Sequence, residues 1–382
     1  MSKKIKVGVI FGGRSGEHEV SLVSAESVMK ALDRKKYDIV QIGITKRGEW
    51  VIENAKLKIK NEKLLELFKQ GKIKNGSRLP PEILTKVDVV FPVLHGTYGE
   101  DGTIQGLFEM MNIPYVGAGV LGSAVGMDKI VQKQLCEQAG LPVVKYIWFN
   151  AGDILRRPSG VDKISPHKTT RERRSLIHIL RHIEKTLKYP CFIKPANMGS
   201  SVGISKSKNR RELIVGINLA AKYDKKILVE EAVSSVREIE CSVLGNDDPI
   251  ASMLGEVISS GEFYDYDAKY VDGRSRTVIP AEISKTMTGV IRDLACQVFC
   301  VTNCLGMARV DFLLDNKRQK IYVNEINTIP GFTSISMYPK LWQASGLSYS
   351  DLLDNLINLA IRQFEEKQKL QMGYKPKKKW YR

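Results

Sequence analysis

The sequence predicts an α/β protein whose first part is a doubly wound parallel-sheet domain. From the N-terminus to about residue 124, apolar runs typical of buried parallel strands alternate with helix-forming segments. The first run, residues 5–11, stops at Gly12 and Gly13 and is followed by a helix-forming segment. This is the strand–turn–helix order of such domains. The chain of 382 residues is long enough for one or two further domains.

The first domain is expected to cover residues 1–124. Its predicted elements are strands at 5–11, 39–44 and 87–94 and helices at 21–32, at 103–111 and within the charged stretch 56–70. The turn at residues 12–16 follows the first strand as a dinucleotide-binding loop would, but it does not fit the GxGxxG pattern. A nicotinamide cofactor is therefore disfavoured.

Two α+β regions are expected after the first domain, at 125–237 and 238–366. For the second region we predict a helix at 127–139 and strands at 143–149, 191–194, 202–205 and 227–231. For the third we predict strands at 239–245, 250–258, 309–314 and 321–327 and helices at 284–304 and 348–366. The stretch 259–276 is rich in Gly, Tyr and Asp, which favours a mobile loop over a plain surface excursion.

The composition excludes several classes of protein. The chain is 43% hydrophobic and 26% charged, as globular proteins are, and no stretch approaches the roughly 18 apolar residues of a membrane span. The apolar run at the N-terminus is too short for a secretory signal, so we expect a cytoplasmic protein with no membrane partner. The 6 cysteines lack CxxC spacing, which indicates reduced thiols.

The net charge of +17 is concentrated in two segments. Residues 156–188, within a basic insertion at about 153–188, and the tail 367–382 each carry a net charge of +7. The insertion has almost no aromatic residues among its basic ones, unlike a nucleic-acid-binding groove. We therefore interpret both segments as solvated charge, the tail as a disordered arm, and expect no specific nucleic-acid partner.

Two strands joined by a polar break carry the strongest sign of chemistry. Alternation along a strand places Arg309 with Asp311, and Glu325 with Asn327, on one face. A turn centred on Arg318 sets Asp311 opposite Glu325, at about 5 Å, where two carboxylates repel unless a cation neutralises them. Carboxylate and amide oxygens suit Mg²⁺ completed by phosphate oxygens and water. An exposed hairpin with scattered charges fits less well, because the flanking residues are apolar.

A second sign of chemistry lies at residues 192–203. Lys194 ends an apolar strand, and the loop Gly-Ser-Ser-Val-Gly begins five residues later. Backbone N–H groups and hydroxyls in such a loop can cradle phosphate oxygens while the ammonium neutralises their charge. The chain has no GxxxxGK[ST] P-loop, and the segment alone could equally be a hairpin turn. Beside the predicted metal site it indicates a nucleotide site.

These segments belong to a set of six ordered motifs through which the chain resembles the D-alanine–D-alanine ligases of the ATP-grasp superfamily. The motifs are FGGRSGEHEVS at 11–21, LHGTYGEDGT at 94–103, MDK at 127–129, the segment 194–203, FYDYDAKY at 263–270 and the segment 306–331. The resemblance covers Val7 to about Arg362, apart from the basic insertion. It implies an N-terminal substrate-binding domain followed by a two-part ATP-grasp (α+β) domain, in a homodimer.

The resemblance also implies an ATP site between the central and C-terminal domains. The residues implied for ATP are Lys129, Lys194 and Lys269 at its phosphates, Ser201 in the closing loop, Glu230 at the adenine amino group and Glu238 at the ribose. Asp311, Glu325 and Asn327 are implied to hold two Mg²⁺ ions, with Mn²⁺ a possible substitute.

The reaction implied by the resemblance joins two D-alanines for peptidoglycan, with ATP cleaved to ADP and phosphate. The γ-phosphoryl group passes to the carboxylate of the first D-alanine, and the amine of the second attacks the resulting acylphosphate. Arg309 and the backbone N–H of Gly331 are implied to stabilise the tetrahedral oxyanion.

Three further residues are implied to bind the substrates. Glu19 is expected at the ammonium of the first D-alanine, His95 near its carboxylate and Ser336 at the carboxylate of the second. The residues alone leave alternatives open, since Glu19 could cap a helix and His95 could be a core histidine.

The loop 259–276 is implied to act as a lid, with Tyr270 bonded to Ser200 and Glu19 when it closes. The Lys-Tyr pair at its end resembles the members that form D-alanyl-D-alanine, which disfavours a D-alanine–D-lactate ligase or another ATP-grasp carboxylate–amine ligase. A nucleic-acid-binding protein built on an inactive ligase scaffold is disfavoured too, because every expected catalytic position is filled.

Overall fold

The fold is known from a computed structural model that describes most of the chain. The described residues are 3–52, 64–73, 76–78, 80, 82–154, 166–258, 276–371 and 373. Lys269, Tyr270 and nearly all of the predicted lid lie outside these ranges, as do residues 155–165 and most of the tail. In the part of the chain that is described, no helix combines the length and the apolarity needed to cross a bilayer.

The first region is the predicted parallel sheet with one addition. Strands β1 (Ile5–Gly12), β2 (Tyr37–Ile44), β3 (Trp50–Ile52) and β4 (Val89–Val93) lie in the order β3-β2-β1-β4. β1 is parallel to β2 and β4 and is buried from Val7 onward, as its unbroken apolar run requires. The edge strand β3 is antiparallel and has three residues, too few to show a pattern. Helices α1 (His18–Ala31), α2 (Leu64–Lys69) and α3 (Thr103–Met110) accompany the sheet.

The second region holds an antiparallel sheet. Strands β5 (Tyr146–Asn150), β6 (Cys191–Pro195), β7 (Ser205–Ser207) and β8 (Lys226–Glu231) lie in the order β5-β8-β6-β7. The strand predicted at 202–205 begins only at Ser205, because Ser200, Ser201 and Gly203 have positive φ angles and form a turn before it. The helices are α4 (Val120–Met127), α5 (Lys129–Gln138), α6 (Ala151–Ile154), α7 (Pro166–Thr186) and α8 (Arg210–Ala220).

A break at Asp128 divides the helix that the sequence predicted over 127–139. Asp128 has an extended backbone, and its carboxylate accepts from the backbone N–H groups of Ile130 at 3.0 Å and Val131 at 3.2 Å. This is the bonding of a helix N-cap, so α5 starts afresh at Lys129. The cap thereby fixes the position of one of the lysines assigned to phosphate binding.

The third region is a five-stranded antiparallel sheet. Strands β9 (Val236–Gly245), β10 (Ile250–Ile258), β11 (Arg276–Val278), β12 (Gly306–Asp315) and β13 (Lys320–Asn327) lie in the order β11-β10-β9-β12-β13. Helices α9 (Lys285–Val301) and α11 (Tyr349–Gln368) confirm two predictions, whereas α10 (Met337–Ala344) was not foreseen. A proline inside α10, at position 339, weakens its helical pattern.

The hairpin of β12 and β13 pairs Asp311 with Glu325, as predicted. Nearer the turn, however, Leu313 lies opposite Tyr322, one residue away from the pairing that a turn centred on Arg318 requires. The register shifts at Asn324, the extra residue of a β-bulge. The extra residue compensates for this offset of one residue, so Asp311 and Glu325 still face each other.

The first and third regions share a hydrophobic core. Phe332, Tyr338 and Leu356 pack in one cluster with residues of β1 and β4, and the Phe332 ring meets that of Phe91 edge-on at 5.7 Å. The core of the second region, around Ile193, is separate. Helix α11 is therefore joined to the parallel sheet although some 250 residues separate them in sequence.

Truncating Leu356 to alanine should destabilise this shared core. The side chain is fully buried, so Leu356→Ala is expected to lower the free energy of unfolding by about 2–5 kcal/mol in urea titrations. The matched control is Leu370→Ala, which truncates a leucine that is 66% exposed and should change stability by less than about 0.5 kcal/mol. Equal losses in the two variants would contradict the assignment of α11 to the core.

Candidate active site

A cleft lies where the three regions meet. Its cavity has a volume of about 160 Å³. The first region contributes Glu17, His95 and Glu100 to its walls, the second contributes Lys129, Ser200 and Ser201, and the third contributes Arg309, Glu325, Asn327, Gly331 and Ser336. A second cavity of about 130 Å³ shares Ser201 and Glu325 with the first and extends between the second and third regions.

Glu17 stands at the turn between β1 and α1, and its carboxylate reaches the serine loop. The Ser200 hydroxyl donates a hydrogen bond to that carboxylate. Two glycines allow this approach, because a Cβ atom at Gly96 would lie 2.6 Å from Glu17 Oε2 and one at Gly199 would lie 2.8 Å from it. Gly96 also has a φ of +73°, which side chains rarely permit. The first and second regions thus meet at the Glu17 carboxylate.

Glu19 does not line the cleft, so the prediction that it lies beside Ser200 was wrong. Its side chain is 63% exposed and pairs with Lys46 at 2.5 Å. Glu17 immediately precedes α1, whereas Glu19 lies in its first turn, about 200° further around the helix axis. Both belong to the same motif, and the position of Glu17 at the end of the glycine-rich turn was the signal that could have separated them.

His95 lies two residues after the end of β4, in the wall of the cleft, and is buried. Its Nδ1 lies 3.1 Å from the carbonyl oxygen of Ile329 and its Nε2 lies 3.0 Å from Ser24 Oγ. Burial lowers the pKa of His95, although the charge of Glu17 and the bond to Ile329 oppose the shift. His95 is thus a hydrogen-bonded core histidine and a wall of the cleft at once.

Glu100 is a cleft residue that our sequence reasoning did not single out, although it lies in the motif at 94–103. Its Oε2 accepts from the backbone N–H of Gly96 at 2.8 Å. Burial, and then the charge of Glu17, raise the pKa of Glu100 well above its ordinary value. The shift has this direction because a neighbouring carboxylate opposes the ionisation of a carboxyl group that is withdrawn from water.

Two lysines of the second region line the two cavities, Lys129 the cleft and Lys194 the second cavity. Lys129 Nζ donates to the carbonyl oxygen of Met198 at 2.8 Å and lies 3.4 Å from Glu325 Oε2. Lys194 Nζ lies 2.6 Å from Glu230 Oε2. Burial alone would lower the pKa of Lys194, but Glu230 and Glu325 outweigh it and raise the pKa, so the ammonium stays charged.

Glu230 is a counter-ion in this structure and also lines the second cavity. It is 2% exposed, and its two oxygens pair with Lys133 at 2.7 Å and Lys194 at 2.6 Å. Burial opposes its charge, yet the two lysines hold the pKa of Glu230 at about 2. A carboxylate has about four acceptor sites, so these two ion pairs leave it able to accept a further hydrogen bond.

The second cavity has the walls of a slot for a flat apolar group. Phe192, Val233 and Leu313 line it, with Glu238 among its lining residues. Lys194 lies at the end shared with the cleft. An aromatic base between the apolar walls would place polar substituents near Glu238 and charged ones toward the lysine.

Asp311, Glu325 and Asn327 lie together on the bulged hairpin. Asn327 Nδ2 donates to Asp311 Oδ2 at 3.1 Å. Arg309 donates to both oxygens of Asp311 at 2.7 Å, and its Nε lies 3.1 Å from Glu240 Oε2. Among the described residues no group of three or more His, Cys, Asp or Glu is placed to hold a metal ion. The candidate set is two carboxylates and an amide, which fits a hard cation that takes its other ligands from phosphate and water.

Gly331 and Ser336 form the far wall of the cleft, before α10. Ser336 Oγ lies 2.8 Å from the hydroxyl of Thr333 and accepts from the Thr333 backbone N–H at 3.0 Å. A Cβ atom at Gly331 would lie 2.7 Å from Ser336 Oγ, so the backbone there is close to the hydroxyl. A bound group rich in hydrogen-bond acceptors would contact the Ser336 hydroxyl and the backbone of Gly331, which has no side chain.

Two protein-family models match this chain, one in its N-terminal part and one in its C-terminal part. The model described as D-ala D-ala ligase N-terminus matches residues 6–118, and that described as D-ala D-ala ligase C-terminus matches residues 135–358. The chain belongs to the D-alanine–D-alanine ligase family. Similar proteins include the D-alanine–D-alanine ligases of Natranaerobius thermophilus, 49% identical over 96% of this chain and 97% of the relative, and of Chloroherpeton thalassium, 49% identical over 96% and 99%.

Solved structures of this family share the fold. The D-alanine–D-alanine ligase from Coxiella burnetii is 35% identical, with a TM-score of 0.75 over 96% of this chain and 97% of that one. The VanG D-Ala:D-Ser ligase from Enterococcus faecalis is 37% identical, with a TM-score of 0.77 over 94% of this chain and 100% of that one. The predicted two-part ATP-grasp domain behind a parallel-sheet domain is therefore confirmed.

The charge of Glu230 should make the stability of this ligase-family protein depend on pH. Its pKa is about 2 in the folded protein against an ordinary 4.5, so its contribution is complete above pH 4.5 and is lost as the pH falls toward 2. In that window Glu230→Gln should reduce the slope of unfolding free energy against pH by up to about 1.4 kcal/mol per unit. Urea titrations at several pH values measure the slope, and Glu365→Gln on the exposed face of α11 is the control. An unchanged slope would contradict the ion pairs.

Proposed function

We propose that the protein joins two D-alanines into D-alanyl-D-alanine for peptidoglycan precursors, with ATP cleaved to ADP and phosphate. The observation that carries this proposal is the convergence of Glu17, the serine loop, Arg309 and Glu325 on one cleft, with Asp311 paired opposite Glu325 in the same hairpin. Membership of the D-alanine–D-alanine ligase family supports the reaction. We expect the enzyme to work as a cytoplasmic homodimer with no specific nucleic-acid partner.

ATP would lie across the two cavities. The apolar slot lined by Phe192 and Leu313 suits the adenine ring, and Glu238 suits the ribose hydroxyls as an acceptor. Lys129 and Lys194 would meet the phosphates, and the neighbouring Ser201, together with Lys269 of the lid, would complete their surroundings. Glu230 would hold Lys194 in place and accept from the adenine amino group.

Asp311, Glu325 and Asn327 would hold two Mg²⁺ ions, or Mn²⁺ in their place. Bound ions of this kind neutralise phosphate charge and so favour transfer of the γ-phosphoryl group. Arg309, which now neutralises Asp311, would be drawn toward the reacting carbonyl as a cation replaces its charge there.

The two substrates would occupy opposite walls of the cleft. Glu17 would bind the ammonium of the first D-alanine, with His95 near its carboxylate, where phosphorylation yields an acylphosphate. Ser336 would bind the carboxylate of the second D-alanine, whose neutral amine attacks the acyl carbon. The Gly331 N–H and Arg309 would stabilise the oxyanion that forms.

The lid would complete the first substrate's site. When the lid closes, Tyr270 would bond to Ser200 and to Glu17, which takes the place expected for Glu19. Water would then be excluded from the acylphosphate. The second substrate has alternatives. D-serine differs from D-alanine in its side chain, and D-lactate differs from it in the attacking atom. The likeness to a D-Ala:D-Ser ligase makes D-serine the alternative to test beside D-lactate.

The proposed reaction is tested by phosphate release from Mg-ATP, with products identified by mass. D-alanine should support turnover and yield D-alanyl-D-alanine, whereas L-alanine should not. Mixtures of D-alanine with D-serine or D-lactate test the acceptor, and D-alanyl-D-alanine should dominate each of them. Glu325→Ala should abolish turnover, because it removes one of the two metal-binding carboxylates. No D-alanine-dependent release by the unmodified protein would overturn the proposal.

Comparing the two glutamates of the first motif tests the corrected assignment. Glu17→Gln should raise the KM for the first D-alanine or lower kcat/KM by at least about 30-fold, because it removes the charge that pairs with a buried ammonium. Glu19→Gln should change kcat/KM by less than about threefold, since its exposed pair with Lys46 is worth little. Steady-state kinetics at varied D-alanine measure both. A greater loss in Glu19→Gln would reverse the assignment.

A further inference from the structure

Four groups behind the cleft form a closed ring of polar contacts. Lys133 Nζ lies 2.7 Å from Glu230 Oε1, and Glu230 Oε2 lies 2.6 Å from Lys194 Nζ. Lys194 Nζ donates to Asn324 Oδ1 at 3.3 Å, and the carbonyl oxygen of Asn324 accepts from Lys133 Nζ at 3.2 Å. The ring contains two ammonium groups and one carboxylate, so its net charge is +1.

Lys133 is the member of the ring with no part in the proposed chemistry. It is 1% exposed and lines neither the cleft nor the adenine slot. Burial of an ammonium group is costly and is tolerated where partners compensate for the lost water. A buried apolar residue would fill the same space without that cost, so the charge of Lys133 calls for a reason beyond packing.

The charge balance of Glu230 supplies one reason. With Lys133 present, the carboxylate is shared between two cations, and part of the charge of Lys194 remains available to the cleft. Without Lys133, Glu230 and Lys194 would form a one-to-one pair whose charges cancel. The field of Lys194 at a bound phosphate would then fall, because the nearby carboxylate opposes it.

The bulge at Asn324 supplies a second reason. Lys133 Nζ contacts the carbonyl oxygens of Val323 at 3.5 Å and Asn324, and the adjacent Gln132 accepts from the Ile326 backbone N–H at 3.0 Å. Helix α5 therefore holds β13 on both sides of the bulge. Strand side chains alternate between faces, so the extra residue decides which face Glu325 presents.

We propose that Lys133 is a positioning residue that sets the charge of Lys194 and holds the bulge that aims the metal-binding side chains. It touches no substrate and acts through Glu230, Lys194 and β13. This inference rests on the proposed function, in which Lys194 meets the phosphates of ATP.

The test removes the charge and then restores the balance. Lys133→Met lowers the net charge of the ring to zero, and should raise the Kd for ATP by at least about tenfold, measured by calorimetry without magnesium. The KM for ATP should rise in parallel, while the KM for D-alanine changes by less than about twofold. The double variant Lys133→Met with Glu230→Gln returns the ring to +1 and should recover most of the ATP affinity. A merely structural role for Lys133 predicts no such recovery.

The bulge is tested by the metal requirement of the same double variant. It lacks the donor to β13, so its half-saturating Mg²⁺ concentration in turnover should stay raised by at least about threefold after ATP binding has recovered. Lys145→Met, which removes an exposed lysine, is the matched control and should leave both quantities unchanged. Circular dichroism melts establish that each variant is folded.

Two results would overturn the inference. One is a folded Lys133→Met protein whose Kd for ATP stays within twofold of the unmodified protein, and the other is a double variant that binds ATP no better than the single one. If Lys133→Met does not fold, the double variant decides alone, since a tenfold loss of ATP affinity at unchanged ring charge would contradict the charge argument. An unmodified protein that binds ATP without D-alanine-dependent turnover would overturn the proposed function and leave this inference standing.

Discussion

The need to neutralise buried carboxylates governs the arrangement of the cleft. Asp311 and Glu325 face each other across one hairpin, and the protein answers with Arg309 on the first and Lys129 near the second. Glu230 is answered by two lysines. At Glu100, burial and the charge of Glu17 raise the pKa well above its ordinary value, although Lys129 and Arg309 oppose the shift. Lys129 belongs to the second region and Glu325 to the third, so their contact joins the two regions, whereas Glu230 and its two lysines all lie in the second.

The backbone conformation of the serine loop links the second region to the first. Ser200 and Ser201 adopt positive φ angles, which cost energy in residues other than glycine, and the turn they form brings the Ser200 hydroxyl onto Glu17. Gly96 and Gly199 leave room for that carboxylate. The strained turn therefore makes a contact between two regions. That contact lies where the first substrate is proposed to bind.

The sequence predicted what local periodicity determines and missed what distant contacts determine. Alternation along β12 and β13 was enough to place Asp311 opposite Glu325, although the bulge at Asn324 that maintains this pairing left no local signal. Glu17 and Glu19 could not be told apart by residue type, because their difference lies in where α1 begins. The ion pairs of Glu230 were not predicted, because nothing local showed that a lysine 97 residues earlier in the chain would pair with it.

The division of the hydrophobic cores matches the division of proposed roles. His95 and Ser336, assigned to the substrates, stand on elements that share the core of the first and third regions, whereas Lys194 and Ser201 stand on the second region, whose core is separate. Helix α5 crosses this division, because Cys136 packs in the core of the third region while Lys129 and Lys133 contact Met198 and Glu230 of the second. A helix that is anchored in one core and directs its charges toward the other region can hold the lysines proposed to bind phosphate in register with the hairpin proposed to bind metal. An apolar contact has no direction and could not do this.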